Sequence, residues 1–160
     1  MLRLNNGSVP VQHQAEPFKW SDTIQFDQRE INMVALDKET LTVFLLDDDP
    51  SVLKATSRLL DSVGWQVNAF TDPITFLEHA ATHCPELAVI DILMPDMNGL
   101  EVQNQLQRVS PSTRVIVLTA KDDPSVRRKA MNAGASAFFI KGVESGDFLA
   151  GVKAAADSGN

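Results

Sequence analysis

The segment Leu41-Thr42-Val43-Phe44-Leu45-Leu46-Asp47-Asp48-Asp49-Pro50 changes character abruptly at its middle. Leu41 to Leu46 is a short aliphatic and β-branched run, the pattern of a strand buried on both faces. Asp47, Asp48 and Asp49 end it. Asp49-Pro50 then reads as an N-cap followed by proline at the first helical position, where the missing N–H would have no partner anyway. Val52, Leu53, Thr56, Leu59, Leu60 and Val63 follow at spacings of one, three or four and share one helical face. Gly64 is placed to end that helix. The segment is therefore the hinge of a strand–acidic turn–helix unit.

Outward from this segment the unit recurs. Gln66 to Phe70 is a weaker strand, and Asp72-Pro73 opens a helix carrying Ile74, Leu77, Ala80 and Ala81. Leu87 to Asp91 is a third strand, and Asn98-Gly99 leads into a helix with Leu100, Val102, Leu106 and Val109. Val115 to Thr119 is a fourth strand; Asp123-Pro124 caps the next helix and Gly134 closes it. Ala137 to Ile140 is a fifth strand, and Asp147 to Ala156 a last helix with Phe148, Leu149 and Val152 inward. Strict alternation of strand and helix predicts an α/β fold, a doubly wound five-stranded parallel sheet covered on both faces. Ligands of such sheets bind beyond the carboxyl ends of the strands.

Those ends carry polar residues. Strand one ends in Asp47 and Asp48, strand three in Asp91, strand four in Thr119, and strand five just before Lys141. Strand two offers nothing reactive, as expected of an edge. Carboxylates brought together raise one another's pKa, and a hard cation relieves them. Carboxylates with a carbonyl and waters suit Mg²⁺, which keeps positions for phosphate oxygens. Lys141 adds a compact positive charge and Thr119 a hydroxyl donor, so the rim suits a tetrahedral dianion beside a metal, with a carboxylate as nucleophile. Each residue alone has a plainer reading: a solvated turn for Asp47–Asp49 or Asp91, a strand terminus for Thr119, a surface lysine for Lys141. Their joint placement on four strand ends is what points to a site.

The 160 residues, 44% hydrophobic and 22% charged, suit one domain with a tail and exclude collagen-like or low-complexity chains. A net charge of −7, with Arg127-Arg128-Lys129 as the one dense basic cluster, argues against direct nucleic-acid binding by this domain. No apolar run reaches the roughly 18 residues a membrane span needs. Met1 to Pro10 lacks the apolar core of a secretory leader. Cys84, the single cysteine, rules out an intramolecular disulfide and agrees with a reducing compartment, so a cytoplasmic location is expected.

The segment from Thr42 to about Ala156 resembles the receiver domain of bacterial two-component response regulators. The matching pieces are Phe44 to Asp49, Ile90-Asp91-Ile92-Leu93-Met94-Pro95-Asp96-Met97-Asn98-Gly99, Val117-Leu118-Thr119-Ala120, and Ala133-Gly134-Ala135 through Phe138 to Lys141. The resemblance implies a flavodoxin-like sheet in the order 2-1-3-4-5 and a regulatory phosphoprotein rather than an enzyme. It implies that Asp91 accepts a phosphoryl group from a sensor histidine kinase or histidine phosphotransfer protein. Asp47, Asp48 and the backbone carbonyl of Leu93 would hold Mg²⁺ or Mn²⁺. Thr119, the backbone N–H of Ala120 and Lys141 would bind the phosphoryl oxygens, and Phe138 would switch with Thr119. The side chains two past Asp91 and two past Thr119, Leu93 and Lys121, would modulate dephosphorylation. A homodimer through helix four, strand five and helix five is a further expectation. Gly142 stands where the family usually has proline.

Two other functions remain open on the sequence. One is a haloacid-dehalogenase-like phosphohydrolase, with Asp47 and Asp49 as its Asp-x-Asp pair; the other is a receiver-like scaffold that is never phosphorylated. Residues 41–157 are read as the receiver, 158–160 as a tail and 1–40 as an N-terminal extension. Within the extension, Asp27 and Glu30 have capping-box spacing before Ile31, Val34 and Ala35, and Phe18, Trp20, Ile24 and Phe26 are apolar enough to pack. His79 and His83, four apart on the second helix, lack a third ligand and read as a polar helix face. Arg127 to Lys129 reads as a solvated face. The sequence leaves open whether an output domain accompanies the receiver.

Overall fold

The computed structural model describes residues 40–158; the apolar residues and capping box of the extension lie outside them. Strands and helices alternate as β1 (Thr42–Leu46), α1 (Pro50–Asp61), β2 (Gln66–Phe70), α2 (Pro73–His83), β3 (Leu87–Ile90), α3 (Gly99–Val109), β4 (Arg114–Thr119), α4 (Pro124–Asn132), β5 (Ala135–Ile140) and α5 (Ser145–Asp157). All five strands are parallel, in the order β2-β1-β3-β4-β5. The order reverses between β1 and β3, so the loops after these two strands diverge to opposite faces and leave a crevice at their carboxyl ends.

Side chains of successive strand residues point to opposite faces, and the two faces bury separate cores. Val43, Leu45, Val89, Ile116 and Leu118 pack with Leu53, Leu59 and Leu60 of α1 and Phe148, Leu149 and Val152 of α5. Phe44, Leu46, Ala88, Ile90, Val115 and Val117 pack with Phe76, Leu77 and Ala80 of α2, Val102 and Leu106 of α3, and Ala130 of α4. The three Asp-Pro pairs behave as the sequence predicts: Asp49, Asp72 and Asp123 have extended backbones and accept from N–H groups of the first turn that follows.

Several details differ from the sequence reading. β4 and β5 begin earlier, at Arg114 and Ala135, and α5 begins at Ser145. Ile74 and Val109 are 51% and 41% exposed rather than inward. In α2 the buried face is set by Pro73, Phe76, Leu77 and Ala80, and Ile74 lies a 100° step off it. α1 ends at a Ser62 cap, with Gly64 two residues beyond at φ +88°.

Candidate functional site

β1 and β3 are neighbours, so the residues following them emerge side by side. The backbone keeps them in register: the Asp91 N–H donates to the Leu46 carbonyl at 2.9 Å, and the Asp47 N–H to the Phe70 carbonyl at 3.2 Å. Asp47, Asp48 and Asp91 each bring a carboxylate oxygen within 4.8 Å of the others. Asp47 and Asp91 are buried, whereas Asp48 is exposed.

Lys141 reaches this cluster from the end of β5. Its Nζ lies 2.6 Å from Asp47 Oδ2 and 3.0 Å from Asp91 Oδ2. Its backbone N–H donates to the Thr119 carbonyl at 2.8 Å, which ties it to the end of β4. The other oxygens of the two buried carboxylates are also engaged: Asp47 Oδ1 accepts from the Asp49 N–H at 2.9 Å, and Asp91 Oδ1 from the Leu93 N–H at 3.1 Å. Buried charge is tolerated only when paired and hydrogen-bonded, and both conditions hold here.

Burial pushes the Asp47 carboxyl above its usual value, and the charge of Asp91 adds to that push; Lys141 and the Asp49 N–H oppose it without cancelling it. For Lys141 burial lowers the ammonium's affinity for its proton, but Asp47 and Asp91 together outweigh burial and raise it. One cation thus faces two buried carboxylates and an exposed third, which leaves the cluster short of positive charge.

The remaining residues named from sequence sort by burial. Thr119 is buried at the end of β4, and Ala120 follows it exposed. Leu93 is 51% exposed on the loop after β3, and Lys121 is exposed. Phe138 is buried on β5 opposite Val117. Gly99 explains why that loop tolerates no side chain at its exit: a Cβ there would sit 2.1 Å from the Asp91 carbonyl oxygen. Gly142 adopts φ +100°, a conformation closed to the proline usual at this position. Asp49 accepts from the Ser51 N–H at 2.8 Å as a helix cap, so it does not join Asp47 in an Asp-x-Asp catalytic pair.

Sequence reasoning missed one neighbour of the site. Arg127, with Arg128 and Lys129, lies on a solvent-facing side of α4 as the sequence suggests, yet its guanidinium carbon also sits 4.5 Å above the Phe138 ring, and its Nη2 pairs with Asp122 at 3.2 Å. No spacing rule signals a cation stacked on an aromatic ring from another element.

A 2-1-3-4-5 parallel sheet with carboxylates, threonine and lysine along its carboxyl rim defines a CheY-like α/β signalling domain. The response regulator receiver domain model matches residues 43–153, and the chain belongs to that family. It is 34% identical over 113 residues to the response regulator protein TodT of Pseudomonas putida, covering 71% of this chain and 50% of that protein. It is 32% identical over 114 residues to the response regulator MprA of Mycobacterium leprae, again 71% and 50% of the two chains. The chain spans about half the length of these curated relatives. A CheY-like receiver domain from Methanospirillum hungatei superposes with a TM-score of 0.71 at 27% identity, covering 75% of this chain and 96% of that one. Receiver domains are regulatory modules, and these matches favour that reading over a phosphohydrolase. No helix among the described residues is long and apolar enough to cross a membrane.

Proposed function

We propose that residues 41–157 form a receiver that takes a phosphoryl group from the phosphohistidine of a partner kinase or phosphotransfer protein onto Asp91. The observation that carries this reading is the Lys141 ammonium, within 3.0 Å of both Asp47 and Asp91 at the junction of β1, β3 and β5. An Asp91 oxygen attacks phosphorus, the new P–O bond replaces the P–N bond, and the electron pair of that bond returns to the histidine nitrogen. Lys141 neutralises charge on the transferred group, Thr119 donates its hydroxyl to a phosphoryl oxygen, and the Ala120 N–H supplies a second donor. The donor set suits a hard divalent cation: two carboxylates, Asp47 and Asp48, with the Leu93 carbonyl. Asp48 supports this assignment because it is exposed and has no partner among the described residues. Mg²⁺ or Mn²⁺ bound there would supply the positive charge that Lys141 alone does not.

Intact-mass measurement after incubation with acetyl phosphate and Mg²⁺ tests the reading. The wild type gains one phosphoryl group, about 80 Da, while Asp91→Asn gains none and Asp48→Ala gains far less. Undiminished labelling of Asp91→Asn would assign the phosphoacceptor elsewhere, whereas a wild type that gains no mass would favour a receiver-like scaffold acting through its surface. Thr119 moving toward the phosphoryl group would let Phe138 repack, and the α4–β5–α5 face is the surface proposed to change its self-association or partner binding. The signalling partners and any coupled output are proposed to act from the cytoplasm.

A further inference from the structure

His79 and His83 lie one turn apart on α2, away from the acidic rim, and the proposed phosphotransfer uses neither. In the structure His79 Nδ1 is 2.9 Å from the Thr75 carbonyl oxygen, and His83 Nδ1 is 2.9 Å from the His79 carbonyl oxygen. A carbonyl only accepts, so each Nδ1 carries the proton, and each neutral ring keeps its lone pair on Nε2. The two rings are parallel to within 11°, with centroids 5.8 Å apart. The same bond to the carbonyl one turn back gives both rings the same setting, so their Nε2 atoms leave the helix on the same side. Both residues are exposed. Behind them Phe70 lies 5.2 Å from the His79 ring and Phe44 lies 6.4 Å from the His83 ring, bracing the pair on the edge of the sheet.

We propose that His79 and His83 form a two-imidazole site for a first-row transition ion such as Ni²⁺, Cu²⁺ or Zn²⁺, separate in place and chemistry from the acidic cluster. Neutral imidazole suits these ions, whereas carboxylate and carbonyl oxygens suit Mg²⁺. A histidine whose Nδ1–H is held by a backbone carbonyl is the arrangement metal-ligating histidines generally show, because that bond fixes the tautomer and aims Nε2. Here both bonds exist before any ion arrives. To reach one ion at about 2.0–2.1 Å the rings must tilt out of parallel until their Nε2 atoms converge, and their exposure leaves room for that rotation. No third histidine, cysteine or carboxylate completes a cluster around this pair among the described residues. Water would therefore fill the remaining positions, making this an exchangeable site that links two successive turns of α2 rather than a closed structural centre.

The test is calorimetric titration of the full chain with Ni²⁺ in saturating Mg²⁺, with thermal melting in parallel. Excess Mg²⁺ competes for the acidic rim and Asp48→Ala removes one of its carboxylates, so the two sites are told apart, and this experiment stands or falls independently of phosphorylation. The chain has three histidines, so His13 is the internal control. One Ni²⁺ is expected to bind and raise the melting temperature. His79→Gln and His83→Gln are each expected to weaken binding roughly tenfold or more, because the second imidazole then binds without its tethered partner. His13→Gln and Asp48→Ala are expected to leave it unchanged. The proposal is overturned if only one of the two α2 substitutions weakens binding, if neither does, or if binding follows His13 or Asp48.

Discussion

Among the described residues Lys141 is the single cation paired with the two buried carboxylates, and its removal has a predictable sign. Breaking a buried ion pair by deleting one partner typically costs about 3–5 kcal/mol, because the other charge stays buried and unpaired. Lys141→Met is therefore expected to lose on that order of stability at pH 7 in metal-free urea melts. The pH dependence follows from the directions of the shifts. The Asp47 carboxyl is already raised above its ordinary 3.8, so its contribution is fully present below that value and is lost as pH rises through the folded value. Without Lys141 the rise is larger, and the penalty at neutral pH grows. Lys141 is itself raised from 10.5, so in the wild type its contribution persists through neutrality and fades only above that value. Asp72 and Asp123 are lowered by Thr75 and Ser125; their contribution is lost only as pH falls below about 3.8 and does not interfere between pH 5 and 7. The deficit of Lys141→Met should thus be larger at pH 7 than at pH 5, and equal deficits would show that Asp47 is not the group left stranded. Leu93 calls for a different measurement. Its half-exposed side chain can neither orient nor activate water, so slow loss of the phosphoryl group is expected. Leu93→Asn should shorten the lifetime of the phosphorylated mass after the donor is removed, because an amide can hold the attacking water. Lys121 lies on the neighbouring loop and would act through its charge alone. A lifetime in Leu93→Asn equal to or longer than wild type would remove Leu93 from the account.

α4 is the helix with the least apolar anchoring: Ala130 is its one buried residue. Two glutamines one turn apart on α3 hold its carboxyl end instead. Gln103, fully buried, donates from Nε2 to the Ala130 carbonyl at 3.0 Å, and Gln107 donates to the Ala133 carbonyl. The Gln103 Oε1 has no hydrogen-bond partner among the described residues. Gln103→Leu therefore has two effects of similar size, each about 1–3 kcal/mol. It leaves the Ala130 carbonyl without its side-chain donor, and it removes an unsatisfied oxygen. Global stability should change by no more than about 1 kcal/mol, while amide exchange across 124–132 speeds up because the tether is gone. Unchanged protection of α4 would mean that its sheet contacts alone seat it. These glutamines were invisible in the sequence, where a polar residue in a helix reads as a solvated one. What was legible rests on local rules: the Asp-Pro caps, the apolar strands and the order of elements follow from neighbours in the chain. The rim residues Asp47, Asp48, Asp91, Thr119 and Lys141 were legible for the same reason, each lying at or just beyond the end of a readable strand. Ile74 and Val109 were misplaced because tertiary packing chose the buried face, and the stacking of Arg127 was not legible because its partner lies on another element. Phe76 claims the inner face of α2, and Phe138 draws Arg127 over itself from another element.

Across the molecule, the rim meets the α4–β5 face through the β4–β5 pairing, where Thr119 lies opposite Ile140, and through the loop after β4. Thr119 ends β4, and the loop that follows carries Asp122 into α4. Arg127 on that helix pairs with Asp122, stacks on the Phe138 ring and approaches the Phe138 carbonyl with its Nη1 at 3.5 Å. One side chain therefore joins the loop after the site to β5. Its contribution to stability is small: the ion pair is exposed on both sides and worth little, and a solvent-exposed guanidinium over an aromatic ring contributes about 0.5–1 kcal/mol. Arg127→Gln should consequently fold as the wild type does, so a change in its response is not a trace of unfolding. If phosphorylation draws Thr119 toward Asp91, the 120–123 loop shifts, Asp122 pulls on Arg127, and the cover over Phe138 loosens or closes. Amide exchange before and after acyl-phosphate treatment is expected to change across 120–140 in the wild type. In Arg127→Gln the same mass should be gained at Asp91, with a reduced exchange response around Phe138 in β5. A β5 response of wild-type size in the variant would show that Phe138 follows Thr119 through direct packing and that Arg127 merely covers it. No response in either protein would place the signalling surface away from α4 and β5.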